Sequence, residues 1–288
     1  MCAPARAVCP YADAMRIDLH THSTVSDGTG APAQVMREAA EAGLDVVALT
    51  DHDSVDGWDA AAAAAERHSV DFVPGIEVSC RHRGTSIHLL SYWHRRDDEG
   101  VEAMLQVTRD ARIHRAREIV ERLSADYPIS WDSVAQIAGS AATVGRPHIA
   151  DALVAQGVVP TRDAAFESLL VPRSPYYVPH YAPEVKDAVR TMRAAGGVPV
   201  FAHPGAGKRG RIVTTSVIEG MARAGLVGLE IDHRDHDDEQ RVRLERIAIR
   251  LGLVRTGASD YHGTGKPNRL GENVTSPEVF GRLQEARA

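Results

Sequence analysis

His20 and His22, which directly follow an apolar run, are the strongest chemical signal in the chain. Residues two apart on a strand face the same side, so both imidazoles can reach one metal ion. Seven further residues of ligand type lie close behind this pair or in and after later apolar runs: Asp27, His52, Glu77, His88, His203, Asp260 and His262. Such a collection could hold two or three ions, with the two oxygens of Glu77 as a natural bridge. Clustered divalent ions activate water and stabilise phosphoryl oxygens, which indicates chemistry on a phosphate ester.

Seven short apolar runs are predicted to be the strands that position these residues, and they span 15–19, 44–50, 70–78, 86–93, 197–202, 226–231 and 253–259. Segments with helical spacing lie between them, and several of those segments end in Gly. Strands alternating with helices predict a parallel α/β sheet covered by helices, and this chain length favours a closed or nearly closed barrel over an open sheet. All strands of a parallel barrel open at their carboxyl ends on one face, which would bring the candidate ligands together.

Residues 97–181 interrupt the alternation with two helical patterns and a segment rich in Pro and Tyr. We expect a mostly helical insertion that covers the mouth of the barrel, with the barrel itself formed by 15–96 and 182–288. Residues 1–14 lack the apolar core of a signal peptide, so they are interpreted as a disordered extension or as the result of a misplaced start codon.

Composition excludes several classes of protein. The 288 residues are 43% hydrophobic and 25% charged, which is typical of a globular protein rather than a disordered or fibrous one. No apolar run approaches the roughly 18 residues of a membrane helix. A net charge of -6 argues against a protein that coats nucleic acid, and duplex DNA and membranes are not expected partners. The three cysteines form no CxxC pair, which favours a reducing cytoplasm.

The sequence resembles the PHP phosphoesterases, named for polymerase and histidinol phosphatase members. The resemblance covers about 15–271 and depends on HTHSTVSDG, ALTDHD, PGIEVS, IHLL, AHPG and SDYHG, in that order. It implies a distorted seven-stranded barrel with a trinuclear metal centre. The first implied ion is held by His20, His22, Glu77 and Asp260, the second by Glu77, His88 and His203, and the third by Asp27, His52 and His262. Manganese is favoured over iron or zinc for these mixed ligands.

Within the family, VGRPHIADAL (144–153) and PYYVPHYAP (175–183) resemble the group that acts on nucleotides and RNA ends. The resemblance implies hydrolysis of nucleoside mono- or 3',5'-bisphosphates, or of the 5' end of short RNA, by a metal-bound hydroxide that attacks phosphorus. Arg146 and His148 match the group's motif and are expected to bind the substrate phosphate. His180 and His233 are expected to contact substrate from segments that border the cleft. The HRDH segment 233–236 departs from common relatives and leaves nucleotide specificity open.

Alternatives to these interpretations stay open. GRPH can be a turn before a helix, Lys208 can attract an anionic substrate or lie in a solvated basic loop, and Arg112 and Arg115 can line a phosphate channel or a solvated helix face. Charged neighbours in the sequence predict surface positions for His68, His82, His94 and His114. A histidinol-phosphate phosphatase and a non-enzymatic, metal-binding PHP module are the competing functions.

Overall fold

A computed structural model describes residues 15–139, 141, 143–179 and 181–287, without the side chain of 209. The predicted extension 1–14 and His180 lie outside the described residues. Within the part of the chain that the structure describes, seven strands form one sheet in the order β1 to β7. They are β1 (Ile17–Thr21), β2 (Val46–Leu49), β3 (Asp71–His82), β4 (Thr85–Tyr92), β5 (Val198–Phe201), β6 (Gly228–Asp232) and β7 (Val254–Gly257). The predicted seven-stranded α/β fold is confirmed.

The expectation of a wholly parallel sheet is wrong at one strand, because β4 runs antiparallel to both β3 and β5. Only Arg83 and Gly84 separate β3 from β4, whereas a parallel connection needs a dozen or more residues. Both linking residues have positive φ, 45° and 80°, as a tight type I′ hairpin requires. His88 therefore lies within β4, opposite Ser79 of β3, rather than at the carboxyl end of a parallel strand.

The segment after β7 brings the sheet close to closure. The backbone N–H of His22 donates to the carbonyl of Tyr261 at 2.8 Å, and the N–H of Tyr261 donates to the carbonyl of His20 at 3.3 Å. These two bonds join the end of β1 to the loop that follows the last strand. The two ends of the sheet therefore meet where the candidate ligands lie.

The described helices are α1 (Pro32–Glu41), α2 (Trp58–His68), α3 (Glu99–Ser124), α4 (Trp131–Ala138), α5 (Arg146–Ala155), α6 (Arg162–Ser168), α7 (Val185–Ala194), α8 (Thr215–Ala224), α9 (Asp238–Leu251) and α10 (Pro277–Glu285). Strands β2 and β5 are buried at every position, as expected for strands covered on both faces. None of the described helices is long and apolar enough to cross a membrane.

Helices α3 to α6 lie between β4 and α7 and occupy the predicted insertion. Their apolar faces form a cluster that includes Ile119, Leu123, Val134, Ile149 and Leu153. The barrel strands bury their apolar side chains in separate clusters. Most of the insertion therefore shares a core of its own, whereas Val101 and Leu105 near the start of α3 pack in a barrel cluster.

The predicted surface position of His94 is wrong. Although charged residues flank it, its side chain is buried and packs edge-on against the ring of Trp58, with 5.0 Å between the ring centroids. Burial lowers the pKa of His94 to about 4, so the imidazole is neutral in the folded protein.

Candidate metal centre

The first two histidines converge on one carboxylate. His20 is the penultimate residue of β1, His22 directly follows that strand, and their Nε2 atoms lie 3.0 Å apart. The intervening Thr21 points away and donates its hydroxyl to the carbonyl of Ala48. Oε2 of Glu77 lies 3.1 Å from Nε2 of His20 and 3.0 Å from Nε2 of His22. Strand alternation thus delivers both imidazoles to the same point, as their spacing predicts.

Glu77 joins several of the candidate ligands. Its Oε2 atom also lies 3.3 Å from Nδ1 of His52. Its Oε1 atom lies 2.8 Å from Nδ1 of His88 and 3.1 Å from Nε2 of His203. The two oxygens of one buried carboxylate therefore face different imidazoles, which is the arrangement of a bridging ligand.

Asp27 and Asp260 extend this cluster in opposite directions. Oδ1 of Asp27 lies 3.2 Å from Nε2 of His262, and Oδ2 lies 3.8 Å from Nε2 of His52. Oδ1 of Asp260 lies 3.4 Å from Nε2 of His20 and 3.4 Å from Nε2 of His22. The structure thereby brings all nine predicted ligand residues to one site.

Among the described residues, three groups of possible ligand atoms lie within 4.8 Å of one another. They are His20, His22, Glu77 and Asp260; His52, Glu77 and His88; and His22, Asp27, His52 and His262. The first is the set expected for the first ion. The second group contains Glu77 and His88 of the set expected for the second ion, together with His52; the third member expected there, His203, contacts Glu77. The last group contains all three residues expected for the third ion, together with His22.

The donor atoms fit divalent metal ions. Several buried ligand-type atoms of the described residues make no hydrogen bond, and they include Asp27 Oδ1, His52 Nδ1, His88 Nδ1 and His262 Nε2. Leaving buried polar atoms without a hydrogen bond is costly, and coordination would offset that cost. Imidazole nitrogens mixed with carboxylate oxygens suit manganese, iron and zinc.

The charges of the site also suit cations. Burial alone would raise the pKa of Glu77, but the neighbouring imidazoles, led by His52 and His88, hold it well below its usual range. Burial would likewise raise the pKa of Asp27, and His262 leads the groups that hold it well below normal. Both carboxylates are therefore ionised at neutral pH and available to bind a cation.

The imidazoles divide into two kinds. Burial opposes protonation of His22, but the carboxylates of Asp260 and Glu77 outweigh it and raise the pKa to about 9. Burial, with the positive charges of His22 and Lys266, lowers the pKa of His262 to about 4. A neutral imidazole such as that of His262 can coordinate a metal at once, whereas His22 must first release a proton.

Two residues that the sequence analysis missed hold the ligands in place. Glu230 accepts from Nδ1 of His20 at 2.9 Å and from the backbone N–H of His203 at 2.8 Å. Asp51 accepts from the backbone N–H of Ser23 at 2.8 Å and from the hydroxyl of Ser26 at 2.6 Å, which fixes the loop before Asp27. A glutamate within the apolar run 226–231 was the available signal for Glu230.

Three non-glycine residues with positive φ lie in or next to the candidate ligand set. Asp53, His203 and Asp260 have positive φ angles of 53°, 32° and 54°. Such conformations cost on the order of 1–3 kcal/mol each and persist only where surrounding contacts enforce them. Asp53 receives the backbone N–H of Ser79 at 2.7 Å, which anchors one of these strained residues to β3.

Three arginines of the insertion lie together beside the metal-ligand cluster. Arg112 contacts Oδ2 of Asp53 at 2.6 Å through Nε and also binds the hydroxyl of Ser79. Burial and the charges of Arg146 and Arg112 lower the pKa of Arg115 to about 9. Burial and the charge of Arg112 likewise lower the pKa of Arg146. The helix face that carries Arg112 and Arg115 is therefore a basic surface next to the site rather than a solvated face.

His148 lies at the edge of the metal-ligand cluster. It is buried in the first turn of α5, and its Nδ1 accepts from the N–H of Gly145 at 3.2 Å. Burial lowers the pKa of His148, against the opposing effect of the Asp27 carboxylate. The GRPH segment thus begins a helix and also places Arg146 and His148 near the cluster.

The structure gives less support to substrate contacts by the other predicted residues. His233 is fully buried, with Nε2 at 3.6 Å from Oδ2 of Asp260, so its position suits support of that carboxylate more than contact with substrate. Lys208 is exposed on a short 3-10 turn, Gly207–Arg209, as a solvated basic loop would be. His180 lies outside the described residues.

Comparisons with known proteins agree with this site. The PHP domain family model matches residues 18–150. A 3',5'-nucleoside bisphosphate phosphatase of Chromobacterium violaceum is 33% identical and aligns over 91% of this chain and 93% of its own length. A phosphoribosyl 1,2-cyclic phosphate 1,2-diphosphodiesterase of Eggerthella lenta is 31% identical over 85% and 94%, and a 5'-3' exoribonuclease of Haemophilus influenzae is 31% identical over 90% and 94%.

A crystal structure from Bifidobacterium adolescentis, described as a metal-dependent phosphoesterase, is similar over nearly the whole fold. It has a TM-score of 0.92 and 41% sequence identity, and the match covers 96% of this chain and 97% of that one. The shared fold, the convergent ligand cluster and the similarity to curated hydrolases along almost the full chain have one explanation. This chain belongs to the PHP family and is a metal-dependent phosphoesterase.

Proposed function

We propose that the chain hydrolyses phosphate esters of nucleotides that carry a second phosphate, either nucleoside 3',5'-bisphosphates or the 5' end of short RNA. The observation that carries this proposal is the group of Arg112, Arg115 and Arg146 beside the ligand cluster. Arg112 is paired with Asp53, but Arg115 and Arg146 make no ion pair with a carboxylate of the described residues, and these like charges in a partly buried site are unfavourable without a further anion. A second phosphate of the substrate would offset that repulsion.

The geometry keeps these arginines available for an anion. Arg115 donates through Nε to the carbonyl of Val178 at 2.6 Å, and Arg146 donates through Nη1 to the carbonyl of Leu170 at 3.1 Å. A guanidinium group has five N–H donors in a planar fork, so each bond fixes the side chain and leaves further donors for phosphate. Nε of Arg112 lies 2.6 Å from Oδ2 of Asp53, which directly follows the candidate ligand His52, so the basic group lies next to the ligand cluster.

The metal-ligand cluster and the arginines of the insertion have different roles in the proposed reaction. Divalent ions held by the nine ligand residues would supply Lewis acidity toward water and toward the phosphoryl oxygens, with manganese the first choice. The protein fixes the ligands through Glu230 and Asp51, and the insertion binds and orients the substrate through its arginines. No side chain need act as a nucleophile in this arrangement.

The names of the relatives support this substrate class. One is a 3',5'-nucleoside bisphosphate phosphatase and another is a 5'-3' exoribonuclease, and both act on molecules with at least two phosphate groups. Histidinol phosphate, in contrast, carries an ammonium group that three arginines would repel. A non-enzymatic metal-binding module is also disfavoured, because it has no need for a basic group directed at the ligand cluster.

A substrate panel tests the proposal. Manganese-loaded protein is assayed on 3'-phosphoadenosine 5'-phosphate, a 5'-phosphorylated trinucleotide, adenosine monophosphate and histidinol phosphate. We expect kcat/KM for at least one of the first two to exceed the values for the last two by tenfold or more. Equal or higher kcat/KM on histidinol phosphate would contradict the assignment of the arginines to a second phosphate.

A further inference from the structure

Lys266 places a cation beside the candidate metal centre without belonging to its ligand set or to the arginine group. Its Nζ atom lies 3.1 Å from Oδ2 of Asp260. Oδ1 of the same carboxylate lies 3.4 Å from Nε2 of His20 and 3.4 Å from Nε2 of His22. One carboxylate therefore faces the imidazole pair with one oxygen and the lysine ammonium with the other.

The ammonium group lies between this buried carboxylate and solvent. The Asp260 side chain is 1% exposed, whereas that of Lys266 is 29% exposed. An ammonium has three N–H donors, and the contact with Asp260 uses one of them. Nε2 of His233 also lies 3.6 Å from Oδ2 of Asp260, so Lys266 is not its sole polar neighbour. Lys266 is thus placed to donate to an anion that enters the cleft.

The loop that carries Lys266 is anchored to the barrel. The backbone N–H of Thr264 donates to Oγ1 of Thr29 at 2.8 Å. Gly263 has a φ of 67°, and a Cβ there would lie 2.1 Å from the same Oγ1 atom. Only glycine allows this close approach and this backbone conformation. The loop is therefore built to hold a defined position.

The insertion anchors the same loop from the other side of the cleft. Arg162 of α6 makes two bonds with the carboxylate of Asp151, one of them from Nε to Oδ1 at 2.8 Å. This paired contact fixes the guanidinium plane. Nη1 of Arg162 donates to the carbonyl of Gly265 at 3.4 Å, directly before Lys266. The position of Lys266 therefore depends on the insertion as well as on the barrel.

We propose that Lys266 binds the phosphoryl group that is cleaved at the metal centre, and that Arg162 holds the Lys266 loop for this purpose. This inference rests on the proposed function and extends it. The arginines bind a second phosphate of the substrate, and Lys266 binds the phosphate that is cleaved. Lys266 acts as a binding residue, and Arg162 acts on substrate only through the loop.

The test measures binding of inorganic phosphate to manganese-loaded protein by calorimetry, together with metal content. We expect Lys266→Met to raise the Kd for phosphate roughly tenfold to hundredfold, the range for loss of a charge-assisted hydrogen bond, with metal content unchanged. Lys266→Arg should recover most of the affinity. Arg162→Met should weaken binding in the same direction but less. Arg269→Met is the matched control, because its side chain is 86% exposed on the same segment, and it should bind phosphate normally.

Two results overturn the proposal. One is an unchanged phosphate Kd in Lys266→Met, and the other is a weaker Kd that is matched by lost metal, which would make Lys266 a structural partner of Asp260 only. Because the measurement needs no turnover, it tests the Lys266 contact separately from the proposed function. If wild-type protein binds phosphate through Lys266 but hydrolyses no member of the substrate panel, the proposed function fails and the Lys266 assignment stands.

Discussion

Glu230 and His20 form a fully buried pair in which Nδ1 of His20 donates to Oε1 of Glu230 at 2.9 Å. The bond places a proton on Nδ1, so Nε2 is the nitrogen that faces the ligand cluster. Burial opposes protonation of His20, but the carboxylates of Glu230 and Glu77 raise its pKa well above the usual value, so Nε2 must release a proton before it binds a metal. The other oxygen of Glu230 accepts from the backbone of His203. Strand β6 supplies none of the nine candidate ligands, yet through Glu230 it orients two of them.

Glu230→Gln should lower metal affinity. The amide oxygen can still accept from His20, but the variant loses the negative charge and one of the two acceptor oxygens. Loss of such an orienting carboxylate typically costs tenfold to hundredfold in metal affinity. Competition against a fluorescent chelator measures the effect, with Glu239→Gln on the exposed first turn of α9 as the control. Wild-type affinity in Glu230→Gln would show that the pair has no orienting role.

His20→Ala should remove bound metal and abolish turnover. His20 belongs to the group with His22, Glu77 and Asp260, and its loss leaves that group with three residues. Metal content by mass spectrometry and phosphate release are measured on the same preparation. His68→Ala, at an exposed position of α2, should match the wild type in both. Full metal content and normal turnover in His20→Ala would sink the metal assignment.

Arg146→Ala should raise KM for 3'-phosphoadenosine 5'-phosphate while metal content stays at the wild-type level. Loss of a charge-assisted contact corresponds to roughly a tenfold to hundredfold effect. Arg146→Lys should recover only part of the affinity, because an ammonium cannot reproduce the planar fork. Arg173→Ala, exposed on the insertion, is the control. The idea fails if KM is unaltered or if adenosine monophosphate is affected equally.

Stability should fall in mild acid because of His94. Its pKa is lowered to about 4 in the folded state from an ordinary value of 6.5, so the unfolded chain binds more protons between these pH values. The neutral imidazole therefore contributes stability that is complete above pH 6.5 and is lost as the pH falls toward 4. The loss amounts to about 3 kcal/mol at most.

Urea unfolding at several pH values measures this contribution. His94→Leu should flatten the fall in the free energy of unfolding between pH 6.5 and 4, whereas His68→Leu at an exposed position should leave it in place. An identical pH profile in His94→Leu and wild type would assign the acid sensitivity to other groups.

Much of the fold followed from local pattern. Residues 46–49 are all apolar because β2 is buried on both faces. The nine candidate ligand residues stood out because His, Asp and Glu recur within or shortly after such runs. The direction of β4 could have been predicted as well. The two-residue link of Arg83 and Gly84 is too short for a parallel crossover, and this geometric limit outweighs the overall alternation of strands and helices.

Other features depended on tertiary contacts that no local pattern encodes. His94 is flanked by charged residues, yet it packs against Trp58, which lies far away in the sequence. Arg162 donates to the carbonyl of Gly265, directly before Lys266, although these two segments lie far apart in the sequence. Partners of this kind depend on how the insertion sits on the barrel, and local propensity does not determine that position.

The central claim is that the nine-residue cluster holds ions that this chain needs for phosphoester hydrolysis. The most direct measurement follows phosphate release from 3'-phosphoadenosine 5'-phosphate by one preparation, first as manganese-loaded protein, then after chelation, and then after manganese is restored. The account predicts activity that disappears with the chelator and returns with manganese while the protein stays folded. Hydrolysis that persists after complete removal of metal, or its absence from folded, metal-loaded protein across the whole substrate panel, would contradict it.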